Sequence, residues 1–131
     1  MGLELPADAE PFLRSEDEWL RRPAAYALEL RKPYHFEAEW DRHFDTRPDD
    51  YWEEVVAADE VIYVGGTKDL LGRLEDHRDG EVRQAVLLEV CAILSIRSVW
   101  WADGDDPFFV EQQLADALRA EEPPTTYVHQ R

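Results

Sequence analysis

Apolar residues recur along this chain at two spacings, and the switches between them mark out its elements. Ala24 to Leu30 alternates as a strand, with Ala24, Tyr26, Leu28 and Leu30 on one face and Ala25, Ala27 and Glu29 on the other. Val61-Ile-Tyr-Val64 is β-branched or aromatic throughout and predicts a second, buried strand. Gly65 and Gly66 are expected to end it, since paired glycines allow a turn and a close backbone approach, and Thr67 is expected to cap a helix beginning near Lys68. In that helix Leu70, Leu71 and Leu74 share one face, whereas Arg73 and His77, four apart, share another. Arg78-Asp-Gly80 closes it, with Gly80 in the left-handed conformation.

The second half is less regular. From Glu81 to Ala92 the spacing of Val82, Ala85, Val86, Leu88 and Cys91 favours a helix, although Leu87 and Val90 leave a strand from Val86 open. Ile93 to Ala102 reads as a third strand. Asp106 as cap and Pro107 at the first helical position then open an amphipathic helix to about Ala120, with Val110, Leu114, Ala117 and Leu118 on its apolar side. Residues 123–131 form an extended tail that docks on the body. Before the first strand, residues 1–14 form an arm, and Ser15 and Glu18 have capping-box spacing for a short helix ending at Pro23. Between the first two strands, residues 31–60 form an insertion with one or two short helices, one of them starting near Pro48 with Asp49 and Asp50 in its first turn. The expected architecture is α+β: a small three-stranded, mostly antiparallel sheet flanked by helices, with a helical insertion between its first two strands.

Length allows one domain, residues 1–131, and the 44% hydrophobic and 11% aromatic content suffices for one core. No apolar run approaches the ~18 residues of a membrane span, and the start of the chain has neither the basic nor the apolar region of a secretory signal. The expectation is a cytoplasmic protein without a membrane partner. Charge changes the picture more, with 30 acidic residues against 14 basic ones, a net charge of −16, and lysine only at Lys32 and Lys68. Abundant carboxylates with few lysines suit a salt-in halophile, archaeal or viral, because molar salt shortens the Debye length to about 3 Å. A nucleic-acid mimic and an acidic surface for a basic partner are the competing readings, but the acids are spread along the chain and form no block. The single Cys91 lies in an apolar run and reads as a buried structural residue. His35, His43 and His77 show no zinc-ligand spacing.

The stretch Tyr63-Val-Gly-Gly-Thr-Lys-Asp-Leu-Leu-Gly-Arg73-Leu-Glu-Asp-His77 resembles the second motif of the GIY-YIG nuclease superfamily, in which a strand bearing Tyr-x-Gly leads into a helix carrying an arginine and often a histidine. Arg73 follows Tyr63 by ten residues and His77 by fourteen, as in that family. The family's first motif maps onto Ala24-Ala25-Tyr26 and keeps the tyrosine. The resemblance implies a GIY-YIG-like fold and metal-assisted hydrolysis of a nucleic acid, most simply DNA. It implies Tyr26 and Tyr63 beside the attacked phosphate, Arg73 contacting it, His77 as a further catalytic residue, and Glu111, on the helix after the third strand, holding one Mg²⁺ or Mn²⁺. Glu121 and Glu122 are weaker candidates for that ligand. The same residues admit a catalytically silent module that binds nucleic acid or protein, and the charge alone admits a structural protein of a halophilic virus. By themselves the tyrosines could be packing residues, Arg73 a partner of Asp69 or Asp76, and His77 a helix-end residue. Trp100, Trp101 and Tyr127 could stack on bases or pack in the core.

Overall fold

The computed structural model describes residues 21–79 and 86–130. The arm, the Ser15 capping box, the Gly80 turn and the start of the segment after it lie outside the described residues. Four strands, β1 (Ala24–Arg31), β2 (Glu60–Thr67), β3 (Ala92–Trp101) and β4 (Thr126–Gln130), form one sheet in the order β3-β1-β2-β4. Strand β1 runs antiparallel to both β2 and β3, and β4 runs parallel to β2, so the sheet is mixed. The expected α+β class is therefore observed, but with four strands instead of three. The extra strand is the tail, which docks by adding to the sheet. Thr126-Tyr-Val-His-Gln is short and mostly polar, so its pattern alone does not announce a strand, and its partner lies more than sixty residues earlier.

The helices are α1 (Phe36–His43), α2 (Trp52–Ala57), α3 (Leu70–Asp79), α4 (Val86–Val90) and α5 (Pro107–Glu121). The insertion supplies α1 and α2. Asp49 and Asp50 precede α2, whose first turn instead carries Glu53 and Glu54. Lys32 donates from Nζ to the carbonyls of Val55 and Val56, both at 2.9 Å, neutralising acceptors at the end of α2.

Alternation in β1 gives the two faces that the sequence predicts. Tyr26 lies opposite Gly65 and Leu28 opposite Tyr63 on one face, and Ala25 opposite Gly66 and Ala27 opposite Val64 on the other. The first face is buried with side chains of α1 to α4, including Phe36, Trp40, Val55, Leu70, Leu74 and Leu87. The second, built largely from alanine and valine, lets α5 approach closely and bury Val110, Leu114, Ala115 and Leu118. Ala115 is the fully buried alanine of α5, and the expected Ala117 is partly buried. Val110, Leu114 and Leu118 each stabilise the fold by about 1.5–3 kcal/mol. Cys91 is buried on the first face, and desolvation pushes its thiol up to about 12, so it is an inert packing residue.

Two local expectations are corrected. Strand β2 does not end at the glycines but continues through both to Thr67, and neither has a positive φ. They are needed for space. A Cβ on Gly65 would stand 2.5 Å from the Tyr26 hydroxyl, and one on Gly66 would stand 2.9 Å from the Pro107 carbonyl oxygen. The cap of α3 is Asp69, whose Oδ1 accepts from the Gly72 amide at 3.0 Å. Thr67 acts one step earlier, its Oγ1 accepting from the Asp69 amide at 3.1 Å, and the helix accordingly starts at Leu70. At the other helix the expected device is present: Asp106 Oδ1 accepts from the Phe108 amide at 2.9 Å, with Pro107 in the first turn of α5.

Candidate functional site

Three of the five residues singled out in the sequence meet on the α3 side of the sheet. Strands β1 and β2 present Tyr26 and Tyr63 side by side, ring centroids 6.4 Å apart, and α3 lowers His77 onto both, 5.6 Å from Tyr26 and 5.8 Å from Tyr63. Tyr26 Oη and His77 Nε2 are 2.7 Å apart in a buried hydrogen bond. His77 is 1% exposed and both tyrosines are fully buried, so His77 is not a solvated helix-end residue. Gly65 makes the cluster possible, since any side chain there would occupy the place of the Tyr26 ring.

Arg73 sits one turn before His77 on α3 and is half-buried. Among the described residues its side chain makes no hydrogen bond or ion pair. Asp69, one of the partners considered for it, is instead held by Arg21 at 3.0 Å.

Glu111 is not in this cluster. It lies on α5, across the sheet, 5% exposed, with Oε1 3.2 Å from the point where a Gly66 Cβ would be. The two groups are separated at that point by the backbone of adjacent glycines, one facing each way. Gln130 Nε2 donates to Glu111 Oε2 and to Gln112 Oε1, both at 3.0 Å. A buried carboxylate with a single neutral partner is poorly compensated, and Oε1 makes no hydrogen bond among the described residues. One carboxylate oxygen is a suitable donor for Mg²⁺, which keeps several waters and takes further ligands from phosphate. Among the described residues, no group of three or more His, Cys, Asp or Glu side chains is placed to hold a metal ion.

The tail adds residues that sequence reasoning did not select. His129 on β4 stacks on Tyr63 with centroids 6.0 Å apart, and its Nδ1 is 2.9 Å from Tyr127 Oη. Tyr51, just ahead of α2, stacks on Tyr127 at 5.9 Å and meets His129 edge-on at 4.8 Å. Burial holds the His129 imidazole down at about 4, against a weaker opposite pull from Asp50, so it is neutral near pH 7. Burial also pushes the Tyr127 hydroxyl up, assisted by Tyr51, Glu54 and Asp50. Rings thus run without a break from Tyr26 through His77, Tyr63, His129 and Tyr127 to Tyr51, which borders a surface cleft. Tyr127 accordingly packs against protein rings. Trp101 lies under the Arg22 guanidinium, 4.3 Å from the ring centre, while Trp100 is 41% exposed at the sheet edge. The signal for His129 was the alternation Tyr127-Val-His129, which sends Tyr127 and His129 to one face once β4 is known to be a strand.

No protein-family model, curated protein or solved structure matches this chain. Among the described residues no helix is long and apolar enough to cross a membrane.

Proposed function

We propose that this protein is a GIY-YIG-like domain acting on nucleic acid, most simply as a metal-assisted DNA endonuclease. The observation that carries the reading is the convergence of the Tyr26, Tyr63 and His77 rings in one cluster, with Tyr26 and His77 hydrogen-bonded, reached through the glycine whose space the first tyrosine fills, with Arg73 one helical turn away. In this reading Arg73 meets the phosphate with a guanidinium that no described carboxylate occupies, which suits bidentate phosphate binding. Tyr26 or Tyr63 positions or deprotonates the attacking water, and His77 fixes the Tyr26 hydroxyl through their bond. A divalent ion on Glu111 would sit on the opposite face of the sheet, behind the Gly65-Gly66 backbone, and so apart from the tyrosine and histidine cluster. The net charge of −16 opposes DNA at low salt, and molar salt removes most of that repulsion.

A second reading has a specific observation in its favour. Both tyrosines are fully buried, which suits a domain that has kept the cluster as core and binds nucleic acid or protein without cutting. Nicking of supercoiled plasmid in a KCl series with Mn²⁺ separates the two. The nuclease reading expects cleavage by the intact protein and at least a hundredfold loss in Glu111→Ala and Arg73→Ala, both still folded by circular dichroism. Absence of cleavage at every salt concentration that keeps the protein folded would leave the binding module.

A further inference from the structure

A cleft of 790 Å³ runs along the outer edge of β4, walled by α2 and the turn before it, by α5 and by the strand. Its volume is in the range of small-molecule sites, about 300–1,000 Å³. Insertion and tail supply most of its lining, with Val86 of α4 and Arg119 of α5 completing it.

What the lining groups still have to offer is one-sided. Arg119, the cation of the cleft, is already engaged, with Asp116 at 3.6 Å and the Val128 carbonyl at 3.4 Å. Asp50 and Glu54, four residues apart, have no cationic partner among the described residues. The Thr126 hydroxyl oxygen is buried in the wall without a hydrogen bond there. His129 is 8% exposed, and with Nδ1 taken by Tyr127 its Nε2 makes no hydrogen bond among the described residues. Tyr51 and Tyr127 lie nearly parallel, 12° apart, and contribute electron-rich ring faces. The two unpaired carboxylates can accept hydrogen bonds and, with the ring faces, surround positive charge. An ammonium brings three donors and a guanidinium five, and either gains from aromatic faces. An anion would meet two carboxylates and an arginine already paired.

We propose that this cleft is a binding site for a small organic cation, a ligand with an ammonium or guanidinium head on a short aliphatic chain. The acidic surface raises the local concentration of such ligands. The site stands independently of the nuclease reading.

Agmatine and spermidine, titrated into the full chain at the lowest KCl concentration at which circular dichroism shows it folded, test this by calorimetry and by the NMR ring resonances of Tyr51 and Tyr127. Saturable binding with shifts at both rings is expected, weakened at least tenfold in the double variant Asp50→Asn, Glu54→Gln. Both positions are exposed, so the variant should stay folded, with a melting temperature no lower than that of the wild type. Three results would overturn the site: no saturation, binding unchanged in the double variant (a diffuse counterion effect), or tighter binding of AMP than of agmatine.

Discussion

His129 carries a proton less readily in the folded protein than in the unfolded chain, and that difference is a stability term. Its ordinary value is 6.5 and burial lowers it to about 4. Above 6.5 neither state binds the proton. Between those values the unfolded chain takes it up and the folded one does not, so stability falls as pH drops through this window and the loss levels off below about 4. The total is roughly 3 kcal/mol. Urea midpoints at pH 7, 5.5 and 4 and constant KCl should decline more steeply for the wild type than for His129→Gln, and parallel declines would show that His129 is not the group. Residues of the motif could be picked out because Tyr63, Gly65, Arg73 and His77 lie within one strand and one helix, where spacing fixes geometry. His129 and Gln130 could not, since what makes them notable is contact with Tyr63, Tyr51 and Glu111, all distant in sequence.

Most elements can be read from the chain because their signals are local: alternation in β1, the β-branched run in β2, and Asp106-Pro107 before α5. Misreadings occur where two local rules compete. Thr67 and Asp69 are both good caps, and the sheet decides between them by extending β2 through Thr67, which leaves Asp69 as the cap beyond the bend at Lys68. Asp69→Ala should therefore cost about 1 kcal/mol, read as a lower denaturant midpoint with an unchanged slope. A loss no larger than that of an exposed control such as Asp116→Ala would return the cap to Thr67. Pairing of β4 escapes local reading for a different reason, since a parallel neighbour is chosen by tertiary packing and not by a turn.

For the whole molecule, charge is the dominant property. Described arginines are largely consumed in ion pairs, as with Arg21 bridging Asp69 and Glu75, Arg47 on Asp41, and Arg97 on Glu29 and Glu122. Such exposed pairs contribute little individually, and they leave a large uncompensated excess of carboxylate. Self-repulsion should consequently limit stability at low salt. Raising KCl from 0.1 to 2 M is expected to raise the melting temperature by roughly 5 °C or more. A flat or falling melting temperature would remove the halophilic interpretation and weaken the case for nucleic acid as a partner.

The glycine pair at the end of β2 also bears on descent. Tyr26 presses on one glycine and the Pro107 turn and Glu111 on the other, so neither position can drift without a compensating change in a different element. Most of the surface can exchange residues freely while acidity is kept, and overall similarity between distant relatives would then decay to nothing. The pair would outlast it, together with a tyrosine two positions before the first glycine, an arginine and histidine on the next helix, and a helix N-terminus packed against the second. That pattern, and not global likeness, is what relatives of this chain should be sought by.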